Sequence, residues 1–388
     1  MTALAGLRVL DFSRFLPGGY VGWIAGDLGA EVIRVEHPRE IAKLAAMMGP
    51  EDAATRARSS YGRNKRSLAI NPAHPAARPM LLDLVARADV LIEDYRPGAM
   101  AAMGLGAAQL LAHNPRLIYC SVSFAGQVGP LADSVGHDPA ALAWAGALLR
   151  LNGLPTPTLP GAQVADVLAG AHATIGVLAA LQARERTGRG QHVDVAMTDA
   201  SLPLLMVALE RTADPATLSP PTGEWHPKGG VWECADGVWL VTTDMEPAYW
   251  ARFTRAIGRP EFEPLRTRPE AHAAMAVELR ALFLTQPRDH WLALLREAGT
   301  QVAPVLSPAE ALAEPHHRAR GAVIDVATPQ GEVAQIGSPF RLEDTPSVAP
   351  RAGGAAGAET DAILAELGLD AAAVAALHGA GAFSGERR

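Results

Sequence analysis

The chain has 388 residues, which at roughly 100–200 residues per domain predicts two domains. Hydrophobic residues make up 49% and charged residues 19%, so there is material for a core and no global disorder. A net charge of −7 argues against a dedicated nucleic-acid binder, which needs a basic surface to displace counterions.

The first 125 or so residues alternate short apolar runs with helical segments. Leu7 to Asp11 reads as a buried strand, Tyr20 to Leu28 as a helix, and Glu31 to Val35 as the next strand. Leu81 to Arg87 is helical, and Asp89 to Ile92 and Leu117 to Val122 are strands. This alternation is the pattern of a parallel sheet covered by helices. Ligands in such sheets bind beyond the carboxyl ends of the strands, so the loops after Asp11, Val35, Glu93 and Ser123 are the places to look.

Farther along, Pro139 to Leu151 and Asp166 to Arg184 carry helical patterns, and Gly188 and Gly190 close the second. His192 to Ala196 is a short strand, and Thr212 to Lys228, rich in Pro, Gly and Thr, reads as a linker. Asp236-Gly237 between two apolar arms predicts a hairpin. Helices follow at Ala248–Ile257, Ala271–Leu284 and Asp289–Glu297. Residues 226–325 are therefore expected to form a smaller α+β domain beside a large α/β domain of residues 1–225, onto which residues 326–388 pack back.

Several motifs are missing. No G-x-G-x-x-G follows the first strand, which disfavours a nicotinamide cofactor, and there is no Walker A motif or G-x-S-x-G elbow. Cys120 and Cys234 form no disulfide framework or zinc cluster, and the adjacent His316-His317 lack metal-ligand spacing. Met1 to Val9 does not read as a signal peptide, and no run of about 18 apolar residues reads as a membrane span. A reducing, cytoplasmic setting is expected, with no membrane or nucleic-acid partner.

Three titratable positions stand out. In Gly136-His137-Asp138-Pro139, Asp138 suits an N-cap and Pro139 a first helical position, but capping has no need of His137. Asp166 precedes an Ala-rich helix. It can cap it, and it can also act as a carboxylate beside free backbone N–H groups able to hold a thioester-type oxyanion. Glu246 precedes another helix, where an acid complements the helix dipole and can also orient a His. Basic residues gather near strand ends: Arg34, the loop Arg63-Asn64-Lys65-Arg66, and Arg96 in Glu93-Asp94-Tyr95-Arg96-Pro97-Gly98. Several such cations in the loops of one sheet edge suit a polyanionic ligand.

Taken in order, a set of stretches resembles the family III CoA-transferase superfamily, and within it the α-methylacyl-CoA racemases. The stretches are Leu4 to Asp11, Gly26 to Glu36, Ala88 to Gly98, Asn114 to Tyr119, Gly126 to Pro130 and Thr187 to Gln191. The resemblance implies a Rossmann-like domain that binds CoA, a smaller second domain and an interlocked homodimer. It implies no permanently bound cofactor and no metal, with coenzyme A arriving as part of an acyl-CoA substrate. At the position of Asp166 the superfamily carries its catalytic carboxylate, which in transferases attacks the thioester and carries the acyl group as a mixed anhydride. In the racemases the same Asp is one of two proton-transferring groups. The other is the His of a Gly-His-Asp motif, here His137, oriented by a Glu followed by Pro, here Glu246. Val302 to Leu306 and Glu314 to Gly321 also resemble the racemases.

The expected activity is therefore epimerisation of 2-methylacyl-CoA thioesters through an enolate. The alternatives are CoA transfer through an aspartyl-acyl anhydride, or a non-catalytic partner subunit. Arg34, Lys65, Arg66 and Arg96 are expected at the CoA phosphates, with Asp89 and Tyr95 near the nucleotide. Two departures accompany the racemase pattern. Its glycine run after the Asp is reduced to Gly170 in Val167 to Ala171, and Pro139 follows the Gly-His-Asp motif.

Overall fold

A computed structural model describes residues 1–49, 51–151, 156–210, 212–214 and 229–384. The expected linker Thr212–Lys228 lies outside the described residues apart from 212–214. The chain divides into two compact units. The first comprises Met1–Leu148, Leu159–Pro215 and Arg318–Arg388, and the second Leu149–Thr158 and Ala216–His317.

The first unit is built on six strands: β1 (Arg8–Asp11), β2 (Glu31–Glu36), β3 (Lys65–Ala69), β4 (Val90–Glu93), β5 (Ile118–Ser123) and β6 (Gln191–Ala196). Their order is β3-β2-β1-β4-β5-β6, and every pairing is parallel. Alternate residues face opposite layers, as strand geometry requires. Val9, Val32, Val90 and Ile118 enter one apolar cluster, whereas Leu10, Ile33, Leu91 and Tyr119 enter the other. The chain order reverses between β1 and β4, which opens a crevice at their carboxyl ends.

The strand β3 was not apparent in the sequence, where Arg63 to Arg66 read as a polar loop. Its buried positions include Lys65 and Ser67, whose polar groups meet the carboxylates of Asp11 on β1 and Glu36 on β2. An inward face made polar by pairing hides the period-2 signal.

Two helices cross one face of this sheet. Leu16–Asp27 starts four residues before the predicted Tyr20, because Pro17 stands in its first turn. Val164–Thr187, of 24 residues, has the length and hydropathy of a membrane span, although Asp166, His172 and the Thr residues leave no unbroken apolar run. Its Ala165, Ala169, Ala173, Val177, Ala180 and Leu181 are nevertheless buried in the first apolar cluster. The two helices approach closely at Gly170, where a Cβ would lie 2.6 Å from Tyr20 Cβ and 2.9 Å from the Pro17 carbonyl. The predicted helix Pro139–Leu151 is interrupted. It runs as Asp138–Trp144, stops before Gly146 at φ +72°, and resumes for one turn at Leu148–Leu151. The carboxyl-terminal residues Ile363, Leu364, Leu377 and Ala382 complete the second apolar cluster.

A hairpin of β10 (Val323–Thr328) and β11 (Gly331–Ile336) also belongs to the first unit. It is anchored by Arg63, fully buried, which bonds Asp27, the Gln335 side chain and the Ile336 carbonyl.

The second unit has an antiparallel sheet of β7 (Gly230–Glu233), β8 (Trp239–Thr242) and β9 (Val302–Val305). Gly237, at φ +75°, makes the tight turn between β7 and β8, at the Asp-Gly that predicted it. Helices Pro247–Ala256, Pro269–Phe283 and Arg288–Glu297 enclose a core of Trp232, Trp250, Phe253, Phe283 and Trp291.

Candidate active site

At the end of β1, the Asp11 carboxylate accepts the Ser13 N–H and hydroxyl and the Lys65 ammonium, the last at 2.7 Å. Lys65 also donates to the Gly19 carbonyl at 2.9 Å. The helix Leu16–Asp27 lies directly over this pair: a Cβ on Gly22 would stand 2.5 Å from Asp11 Oδ2 and 2.8 Å from Lys65 Nζ.

Across the crevice, Asp94 follows β4. Its Oδ2 accepts the backbone N–H groups of Arg14 and Phe15 at 2.9 and 2.8 Å, and Arg14 Nε binds Oδ1 at 3.1 Å. Burial pushes the Asp94 carboxyl up, against the opposing pull of Arg14. The Arg14 guanidinium lies over the Tyr95 ring, 4.1 Å from its centroid. These bonds hold the loops after β1 and β4 together at the sheet's point of reversal. Glu93, whose Oε2 takes the Tyr95 N–H at 2.8 Å, is raised to about 7, chiefly by burial.

Asp166 stands in the first turn of its helix, not ahead of it; the N-cap position belongs to Gln163. Its carboxyl is raised to about 6, first by burial and then by the negative charge of Asp138. His137 pulls the other way, and Asp94 adds a further upward push. Asp138, His137 and Asp94 therefore all bear on the Asp166 carboxyl. The His137 ring meets the Phe15 ring edge-on at 5.9 Å between centroids.

Two expectations about this corner are corrected. Asp138 does not cap its own helix; it is that helix's first residue, behind His137. Its Oδ2 instead accepts the Asp166 N–H at 3.0 Å. That N–H is thereby occupied, so the first-turn donors expected to hold an oxyanion do not include it. The helix start is fixed by a carboxylate from the neighbouring helix.

Of the three expected catalytic residues, the structure brings Asp166 and His137 together. Glu246 belongs to the second unit, exposed at the N-cap position of the helix Pro247–Ala256.

Among the expected phosphate ligands, Arg34, Lys65 and Arg66 line one cavity, joined by Arg56. Arg56 was missed because the short helix Ala53–Arg58 has no apolar period to announce it. Lys65 is held by Asp11, and burial pulls its ammonium below its ordinary range. Arg66 pairs with Glu31 and Glu366 at 2.7 and 2.6 Å. Arg96 is exposed on the loop after β4, and Tyr95 is half-buried there. Asp89 is placed differently from the expectation. It precedes β4 at the amino-terminal ends of the strands, away from the crevice, where its carboxylate takes the Arg8 N–H and the Arg184 guanidinium. That is a scaffold role.

Residues 4–360 match the family described as CoA-transferase family III. The chain is 32% identical to the acetyl-CoA:oxalate CoA-transferase of Acetobacter aceti, covering 89% of this chain and 91% of that one. It is 30% identical to the succinyl-CoA–D-citramalate CoA-transferase of Chloroflexus aurantiacus, covering 93% of each. In structure it is similar to a CAIB/BAIF family protein from Brucella suis. The TM-score is 0.82 at 30% identity, with 94% of this chain and 99% of that one covered. Both named enzymes are CoA-transferases, and neither is named as a racemase. Two curated transferases, a crystal structure and a match across the sheet, both units and the Asp166 helix all agree: the chain belongs to CoA-transferase family III.

Proposed function

We propose that the protein transfers CoA from an acyl-CoA thioester to a free carboxylic acid, with Asp166 as the nucleophile. The observation that carries this reading is the Asp166 carboxyl at the crevice, raised to about 6. Such a group is still ionised at neutral pH and is more basic, hence more nucleophilic, than an ordinary carboxylate. A carboxylate oxygen of Asp166 attacks the thioester carbonyl carbon. As the new C–O bond forms the C–S bond breaks, CoA leaves as its thiolate, and the acyl group stays on Asp166 as a mixed anhydride. The thiolate then attacks the Asp166 carbonyl carbon of the anhydride, which releases the donor acid and leaves CoA as a thioester on Asp166. The acceptor carboxylate attacks that thioester, giving a second anhydride and freeing the thiolate, and the thiolate attacks the acceptor's carbonyl carbon, which forms the new acyl-CoA and returns Asp166 as a carboxylate. No net proton is moved, so the cycle makes no demand on His137 or Glu246.

The relatives' substrates suggest small acyl donors such as acetyl- or succinyl-CoA, and dicarboxylate acceptors such as oxalate or citramalate. Arg34 and Arg56 at their cavity, and Arg96 and Tyr95 on the loop after β4, are the groups offered to the CoA nucleotide and its phosphates. A second copy of the chain is proposed to cover the exposed side chains of Trp144, Ile175, Leu202, Met206 and Val207. Light scattering that finds only a monomer would remove that part.

One observation favours a second reading, proton exchange at the carbon next to the thioester carbonyl: His137 lies close enough to Asp166 for its charge to bear on the carboxyl. One experiment separates the two. The protein is incubated in D₂O with succinyl-CoA or a 2-methylacyl-CoA, with and without a dicarboxylate acceptor. CoA movement to the acceptor, with hydroxylamine trapping an acyl group on Asp166, is the expected result. Deuterium at the α-carbon without CoA movement would replace it with the racemase reading.

A further inference from the structure

Two guanidinium groups in the Arg34 cavity share one fixed carboxylate. Arg56 gives Nη1 and Nη2 to Glu36 at 2.9 and 2.8 Å, and Arg34 Nε stands 3.4 Å from the same group. Glu36 lies on β2, is buried, and also accepts the Ser67 hydroxyl. One carboxylate cannot neutralise two cations, and the remaining positive charge is met by Glu51, whose Oε2 is 3.0 Å from Arg56 Nη2.

Glu51 is a different kind of partner. It sits on the short connection between helices Pro38–Met48 and Ala53–Arg58, and its side chain is 34% exposed. The contact with Arg56 is its one ion pair among the described residues. The space left in the cavity is about 20 Å³, room for a single water. Ser59 and the glycines Gly62, Gly353 and Gly354 supply other parts of the wall. With the Glu51 carboxylate swung out to solvent, the cavity presents the Arg34 and Arg56 guanidiniums, which share Glu36, beside Ser59. That is a donor set for a phosphate monoester.

We propose that Glu51 is a displaceable stand-in for the ribose phosphate of CoA, occupying in the free protein the position that this phosphate takes on binding. The proposal rests on the acyl-CoA reading of the cavity above. A dianion with three acceptor oxygens outcompetes one carboxylate for the Arg34–Arg56 pair, and Glu51 needs little reorganisation to return to water. A carrier without the phosphate leaves Glu51 in place and the guanidiniums satisfied. Glu51 thus lowers the affinity for every ligand that must displace it and for no other, which makes it a specificity device.

The test uses the full chain and isothermal titration with CoA and with 3′-dephospho-CoA. Glu51→Gln keeps the side-chain shape and removes the competing charge. It is expected to tighten CoA about 5–10-fold and to leave dephospho-CoA unchanged. Arg34→Gln, its fold checked by thermal melting, is expected to weaken CoA while barely affecting dephospho-CoA. Arg34→Lys replaces it where Gln disturbs the fold. If the Arg34 variant weakens both ligands equally, the cavity is not the phosphate site and the acyl-CoA reading of it falls. If that variant discriminates but Glu51→Gln tightens neither ligand, or both alike, the stand-in role alone is overturned.

Discussion

The Asp138 carboxylate reaches past its own helix to accept the backbone N–H of Asp166, 3.0 Å away at the start of another. A single group thereby sets two properties of the candidate nucleophile. It fixes where the first turn of the Asp166 helix begins, and its charge helps to raise the Asp166 carboxyl.

Asp138→Asn keeps an acceptor oxygen and removes the charge. The active form of Asp166 is the carboxylate, so transfer activity is lost as pH falls through about 6. Without the Asp138 charge, the acid limb of the pH–rate profile is expected to move to lower pH. Asp138→Ala also strands the Asp166 N–H and is expected to lose about 1–3 kcal/mol of stability. A pH–rate series with denaturant melts checks both; an unmoved acid limb in the Asn variant sinks the argument.

Asp166→Asn removes the nucleophile and is expected to lower the rate at least about a thousandfold. It should also stabilise the fold at alkaline pH. The folded carboxyl is raised above its unfolded value, so its contribution is fully present below the unfolded pKa and is lost as pH rises through about 6. The variant has no such loss. Its stability should therefore exceed the parent's at pH 8 by about 1 kcal/mol more than at pH 4, after allowance for solvent screening. Melts at the two pH values decide it.

Lys65→Met leaves the Asp11 carboxylate buried without its ammonium, and is expected to cost about 3–5 kcal/mol. Adding Asp11→Asn should restore part of this, since the stranded charge is then gone. Urea unfolding of the single and double variants reads the coupling. A double variant no more stable than Lys65→Met would show that the pair is not the cause.

Gly170→Ala sets helix propensity against packing. Alanine gains under about 1 kcal/mol over glycine inside a helix. The new methyl would lie 2.6 Å from Tyr20 Cβ and 2.9 Å from the Pro17 carbonyl, both on a packed helix. Overpacking of this kind costs about 1–3 kcal/mol, so net destabilisation is expected. Because Asp166 lies one turn earlier on the same helix, activity should fall with it. A raised urea midpoint would contradict the close approach.

Much of the large unit was legible in the chain. The strands β1, β2, β4 and β5 are apolar runs, because a parallel sheet buries both faces and each residue must suit a core. His137 could be singled out because helix capping has no need of it, whereas Asp166 also suited an N-cap and stood out chiefly through the family resemblance. Asp236-Gly237 announced its hairpin because the turn needs a residue at positive φ. The order of motifs along the chain was enough to place it in its superfamily, whereas the expected racemase activity has no counterpart among the named relatives.

Other features needed the tertiary structure, and for one physical reason. They depend on partners distant in sequence. The edge strand β3 is invisible while Lys65 and Ser67 look solvated; only Asp11 and Glu36, brought beside them, make those positions inward-facing. Asp138 reads as a cap for its own helix until the fold sets Asp166 beside it. Asp89 and Tyr95 flank the same short strand and so lie at its opposite ends, only one of them beside the crevice. Arg56 carries no motif at all, and its role arises because Glu36, Glu51 and Arg34 converge on it. Local sequence determined which segments are strands and helices, because propensity and periodicity act over a few residues. The pairing of charges was decided by the folded chain, because a buried ion is stable only where a distant segment delivers its counter-ion.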